Sequence, residues 1–294
     1  MRSQNTHPNR RGMSRTVVLA TAVALIASGC SSEAQRGFLP GYDDEQVTNQ
    51  TGRITDLWVG SWIAALVVGL ITWGLILWCV TVYRKRKSDD KLPIQLRYHV
   101  PLEITYVVLP IILIGVLFFY TARDIGAVED VSTVPDTTIQ VVAKQWSWDF
   151  NYLDEGVYET GVHAQDVGDP NSFDQLPTLY LPVDERIEFK LDARDVIHSF
   201  WIPAFLYKKD MIPGRTNTFQ VIPTRAGTYA GKCAEFCGEE HSSMLFNVAV
   251  VTREQFDAQM DALRERGQTG ALGLELNRRQ DGNSSAEGTQ RNEN

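Results

Sequence analysis

The stretch Gly231-Lys232-Cys233-Ala234-Glu235-Phe236-Cys237-Gly238-Glu239-Glu240-His241-Ser242-Ser243-Met244 gathers two thiols, an imidazole and a thioether within twelve residues of one another. A second histidine, His198, stands 35 residues before Cys233, in Asp195-Val196-Ile197-His198-Ser199-Phe200-Trp201. Thiolate with imidazole and a weak thioether is the donor set of copper electron-transfer centres. Soft sulfur stabilises cuprous copper and imidazole suits both oxidation states, so such a set changes little when an electron arrives. Zinc also accepts two Cys and two His, but its structural sites rarely use Cys-x3-Cys-x3-His, and Met serves it poorly. Taken singly, each residue has a plainer explanation: a disulfide between Cys233 and Cys237, a buried His198, a core Met244. Their coincidence near the ends of expected strands favours a metal site.

Outward from this stretch, residues 134–252 carry short runs of β-branched and aromatic residues divided by turn signals. Strands are expected at Thr138–Val142, Thr178–Leu181, Arg186–Phe189, Thr218–Val221 and Phe246–Val251. Gly, Pro, Asp and Asn cluster between them, notably at Val167–Asn171 and Ile212–Asn217. Several short strands without alternating helices indicate a β-sandwich or small Greek-key barrel. His163–Gln175 reads as a long polar loop. A helix is expected over 253–266, opened by Thr252 with Gln255 three residues on, a capping-box pattern. Residues 267–294 have the composition of a disordered tail.

Upstream lie three apolar runs of different kinds. Arg10, Arg11 and Arg15 precede an apolar stretch that ends Ala27-Ser28-Gly29-Cys30, the pattern of an export signal over residues 1–29. A cysteine at that point resembles the bacterial lipobox, with Cys30 as the acylated residue, although Ala27 stands where Leu is usual. The second run, Leu57–Tyr83, is 27 residues long without a charge, and the third is uncharged over the 19 residues from Ile104 to Ala122. Each is long enough to span a bilayer, giving a hairpin over 55–123 with spans near 57–83 and 101–122. Trp58, Trp62, Trp78 and Tyr83 fall towards the ends of the first span, as interfacial aromatics do. The intervening Arg84-Lys85-Arg86-Lys87, with Lys91 and Arg97, places that loop in the cytoplasm and both flanking segments outside. Cys79 sits inside the span as a packing residue.

The chain carries a net charge of −8, and residues 134–252 hold 17 acidic and 9 basic residues, also a net −8. An acidic surface argues against nucleic acid as a partner. It could steer a cationic protein towards the outer domain.

Cys-x3-Cys-x3-His-x2-Met with a distant His in Asp-Val-Ile-His-Ser resembles the binuclear CuA site of cytochrome c oxidase subunit II. The segment Lys209-Asp210-Met211-Ile212-Pro213-Gly214-Arg215 and the two spans extend the likeness over nearly the whole chain. The resemblance implies a membrane-anchored all-β protein: a two-helix transmembrane hairpin followed by a cupredoxin-like Greek-key sandwich. It further implies a place in the bacterial plasma membrane, multi-pass, with the large C-terminal domain extracytoplasmic. Cys233 and Cys237 would bridge two coppers, His198 and Met244 completing one, His241 and the Glu235 carbonyl the other. The Glu235 carboxylate would reach a magnesium ion at the contact with subunit I. In Gln145-Trp146-Ser147-Trp148, Trp146 would be the electron entry point, with Ser147 where an aromatic is usual. Glu103, two residues after Pro101, would stand at a proton entry. Its plainer explanation is ordinary helix-start chemistry. The implied partners are oxidase subunits I and III, the lipid bilayer, and cytochrome c or a cytochrome c domain of a bc-type complex. The implied activity is transfer of electrons from cytochrome c to subunit I for oxygen reduction coupled to proton pumping.

Rival classes fit less well. A copper-free quinol oxidase subunit lacks these ligands. A thioredoxin-like copper-delivery protein places its histidine downstream and alternates strands with helices. Nitrous oxide reductase adds a propeller domain not seen here.

Overall fold

Two helices that are apolar on every side begin the architecture, as shown by a computed structural model describing residues 31–40, 46–85, 95–164, 174 and 176–272. The sequence expectations on the export signal, Cys30 and most of the basic loop fall outside the described residues. A short helix α1 (Ser32–Gln35) is capped by the Ser31 hydroxyl, and the chain after it is stapled to Trp58, whose Nε1–H donates to the Gly37 carbonyl at 2.9 Å. Helix α2 (Thr51–Val82) and helix α3 (Val100–Val128) follow. At 1.5 Å per residue each exceeds the ~30 Å hydrocarbon thickness of a bilayer. Their large apolar side chains, such as Leu70, Trp73, Ile111 and Phe118, are exposed, so no protein core explains them. Both helices are long and apolar enough to cross a membrane. Asp124 joins their ends, accepting from Arg53 at 3.0 Å and from Arg123 at 2.8 Å.

Among the described residues, ten strands form a two-layer sandwich. They are β1 (Thr137–Lys144), β2 (Ser147–Tyr152), β3 (Val157–Thr160), β4 (Thr178–Pro182), β5 (Ile187–Ala193), β6 (His198–Ile202), β7 (Tyr207–Met211), β8 (Asn217–Val221), β9 (Gly227–Cys233) and β10 (Leu245–Val251). One sheet runs β3-β2-β1-β5-β8 and the other β4-β10-β9-β6-β7. Pairing is antiparallel except for β1 with β5 and β4 with β10. The strand pattern calls for a β-sandwich or small Greek-key barrel, and the described strands form the sandwich.

Strand periodicity puts Phe246, Val248 and Val250 of β10 on the inner face. There they share one core with Trp148, Phe150 and Phe189 of the facing sheet and with Phe200 of β6. Phe246 stacks on Phe200 at 5.2 Å between centroids and meets Trp148 edge-on at 5.0 Å. Opposite Phe246 on β9 is Gly231, where a Cβ would come within 2.1 Å of the Phe246 ring. The glycine makes room for the aromatic layer beneath the candidate ligands.

Helix α4 (Arg253–Glu265) closes the sandwich with Phe256, Met260 and Leu263 buried along one stripe, and Thr252 and Gln255 form the reciprocal cap. The tail departs from its composition. Residues 267–272 are held in place: Thr269 bridges Val157, the Tyr158 N–H donates to the Gln268 carbonyl, and Leu272 exchanges two backbone bonds with the Asn151 amide. Asn151 is fully buried, so the backbone of Leu272 supplies partners that water cannot.

The hairpin is fastened to the sandwich on both sides. Before α2, Asn49 and Ile222 bond reciprocally and the Thr224 N–H donates to the Val47 carbonyl. After α3, Glu129 accepts from Tyr207 and Lys209 of β7. Both bonds hold the Glu129 carboxyl below the usual range although burial opposes this.

Candidate metal centre

Three loops meet at one end of the sandwich. The β9–β10 loop brings Cys233, Glu235, Cys237, His241 and Met244. The β5–β6 loop brings Asp195 and delivers His198 at the first residue of β6. The β1–β2 turn brings Gln145 and Trp146. The long loop is pinned at its base by the Cys233 N–H donating to the Met244 carbonyl at 3.0 Å, the last rung of the β9–β10 ladder. The Ala234 N–H donates to the Ser199 carbonyl, tying the loop to β6. Gly238 turns the chain with φ +129°, a conformation that favours glycine, and a Cβ there would lie 3.0 Å from Trp146 Nε1.

Within this frame the donor atoms converge. Cys233 Sγ lies 3.8 Å from Cys237 Sγ, 3.7 Å from His198 Nδ1 and 3.3 Å from the Glu235 carbonyl oxygen. Cys237 Sγ lies 3.5 Å from His241 Nδ1 and 3.8 Å from Met244 Sδ. His198 and Met244 are fully buried and both cysteines nearly so. Cys233 and Cys237 are free thiols. A disulfide needs its sulfurs near 2.05 Å, far closer than these.

The crowded donors perturb one another. The two cysteine sulfurs compete for one proton, which holds the Cys233 thiol well below the usual range and, with burial, pushes the Cys237 thiol far above it. Burial of His198 alone would lower its pKa, but its bonds to Asp195 and Cys233 outweigh that and raise it. The geometry leaves His198 Nδ1 facing the sulfurs. Two soft thiolates, two imidazoles, a thioether and a carbonyl fit copper and are a poor fit for hard cations, which take oxygen.

The other candidates fall elsewhere. Trp146 lies in the β1–β2 turn rather than on a strand, half-buried, with Nε1–H donating to the Cys237 carbonyl at 3.3 Å. Its neighbour Trp148 is a fully buried core residue. The Glu235 side chain is exposed. Glu103 stands in the first turn of α3, where its carboxylate accepts from the His99 N–H at 2.9 Å, the helix-start bond expected of a Glu there. Sequence reasoning passed over Asp195 and Gln145. The one available signal for Asp195 was its place three residues before His198.

Comparison with known proteins agrees with this geometry. Residues 137–251 match the family described as cytochrome C oxidase subunit II, periplasmic domain. A probable cytochrome c oxidase subunit 2 of Streptomyces avermitilis is 41% identical, the alignment covering 89% of this chain and 91% of the relative. The cytochrome c oxidase subunit 2 of Mycobacterium tuberculosis is 33% identical, covering 90% and 85%. Among solved structures, the periplasmic domain of subunit II of cytochrome oxidase (CoxB) of Bradyrhizobium japonicum is 31% identical, covers 46% of this chain and 97% of its own, and has a TM-score of 0.42.

Proposed function

Because the chain belongs to the cytochrome c oxidase subunit II family and so forms a component of the oxidase, we propose that it accepts electrons from cytochrome c and delivers them to subunit I, where oxygen is reduced and protons are pumped. The observation that carries this is a buried cluster of His198, Cys233 and Cys237, extended by contacts of 3.3–3.8 Å to the Glu235 carbonyl, His241 and Met244. Copper held there by Cys233, Cys237, His198, His241, Met244 and the Glu235 carbonyl would supply a one-electron store. The chain's own residues do the rest. The aromatic layer of Trp148, Phe200 and Phe246 keeps the cradle stiff and dry from below, and the pinned loop fixes the ligands in advance.

Trp146, within hydrogen-bond distance of the Cys237 carbonyl, serves as the electron entry point. The acidic outer surface draws in the donor, cytochrome c itself or a cytochrome c domain of a bc-type complex. The exposed Glu235 carboxylate reaches a magnesium ion at the contact with subunit I, and subunit III completes the complex. Glu103 adds proton entry to its helix-start role. The two apolar helices cross the membrane as a hairpin with the charged loop inside, and an acylated Cys30 anchors the N-terminus.

Stopped-flow mixing with reduced cytochrome c tests the assignment. The copper-loaded complex should oxidise the donor in a fast phase that Trp146→Ala slows with copper content unaltered. Equal rates in the two proteins would remove Trp146 from the entry route.

A further inference from the structure

Asp195 is tied to both sides of the site. Its Oδ1 accepts from His198 Nε2–H at 2.8 Å and from the Val196 N–H at 2.8 Å. Its Oδ2 accepts from the backbone N–H of Gln145 at 2.7 Å. The side chain is buried, and these three donors hold the carboxyl below its usual range although burial opposes them. Gln145 is also the residue that brings Trp146 in: Gln145 Nε2–H donates to the Cys237 carbonyl at 2.9 Å, beside the bond from Trp146 Nε1–H. The contacts form a closed ring that runs from Asp195 to His198, Cys233 and Cys237, then through Gln145 back to Asp195.

We propose that Asp195 is a positioning residue that sets the electron-donating strength of His198 and, through the Gln145 N–H, clamps the Trp146 turn against the ligand loop. The inference rests on the copper assignment above and goes beyond it. Two independent geometries support it. A histidine whose second nitrogen donates to a carboxylate has its tautomer and ring orientation fixed and its ligand basicity raised. An acceptor with two oxygens can serve the ligand and the turn at once. Asparagine at this position offers one acceptor oxygen, so it can hold His198 or Gln145 but not both. The negative charge beside the imidazole also favours the oxidised, more positive centre, so its loss raises the reduction potential.

The test compares Asp195→Asn, Asp195→Ala and Gln145→Ala in the full chain. In the copper-loaded oxidase, Asp195→Asn should keep its copper and raise the potential of the centre by about 59 mV, the equivalent of a tenfold change in a one-electron equilibrium. Electron entry from cytochrome c should slow at the same time, although the driving force has grown. Gln145→Ala leaves the bond from Asp195 to His198 intact and should leave the potential in place while slowing entry. In copper-free protein, hydrogen exchange at the Gln145 amide should quicken at least tenfold in Asp195→Ala. This arm stands even if the metal proves not to be copper. An unchanged potential in Asp195→Asn overturns the effect on His198, and an unchanged Gln145 exchange rate overturns the clamp.

Discussion

Replacing Phe246 with alanine probes the layer on which the ligand loop rests. The ring is buried, stacked on Phe200 at 5.2 Å and edge-on to Trp148 at 5.0 Å and Phe150 at 5.6 Å. Truncating a buried Phe to Ala costs about 3–5 kcal/mol, more where the walls cannot close in. Here the walls are rigid rings and Gly231, which has no side chain to move into the gap. The cost should therefore be about 4 kcal/mol, a large part of the ~5–15 kcal/mol that stabilises an ordinary domain. At about 1.4 kcal/mol per factor of ten, globally protected amides in β9 and β10 should exchange roughly a thousandfold faster. Hydrogen exchange with mass spectrometry on the detergent-purified chain reads this directly, with peptides from α2 as an internal control that should not change. An acceleration below about tenfold, some 1.4 kcal/mol, would refute the claim that this ring supports the core.

Other perturbations separate roles that the geometry combines. Met244→Leu keeps the volume of a buried side chain and should cost less than about 1.5 kcal/mol, yet by removing a donor it should raise the potential of bound copper, read by redox titration. Cys237→Ser should abolish the binuclear copper signal in paramagnetic resonance while the protein still enters the membrane. Thr252→Ala removes the α4 cap and should destabilise that helix by about 1 kcal/mol, seen as faster exchange confined to its first turn. Asn151→Ala should free residues 267–272 and expose the chain after α4 to limited proteolysis, at a cost of about 1–3 kcal/mol from lost buried bonds.

What could be read in advance follows from how local each signal was. The ligands of the β9–β10 loop lie within twelve residues, so their chemistry was legible together. The apolar runs that form α2 and α3 needed only composition. Strands β4, β5, β8 and β10 show β-branched or alternating patterns and were expected close to where they form. Strand β9 was obscured by Gly227 and Gly231, which the fold needs for turning and for the Phe246 ring. Strand β7, Tyr-Lys-Lys-Asp-Met, is an edge strand, where charge is tolerated and periodicity is weak. Strand β2 alternates polar Ser147, Asp149 and Asn151 with apolar Trp148, Phe150 and Tyr152, so its period was legible, but the burial of its polar face was not. Asp149 is held there by Lys144 at 2.7 Å and Arg194 at 2.9 Å. Composition alone misjudged residues 267–272, because their order comes from backbone bonds to partners more than a hundred residues away. Asp195 and Gln145 escaped for the same reason: Gln145 meets Cys237 only across 92 residues of chain.

Copper content and paramagnetic resonance of the purified chain test the central claim most directly. Two coppers per chain, sharing one unpaired electron equally over both nuclei, is the result that the converging donors of Cys233, Cys237, His198, His241 and Met244 require. One copper per chain, an electron localised on a single nucleus, or zinc in place of copper would contradict it.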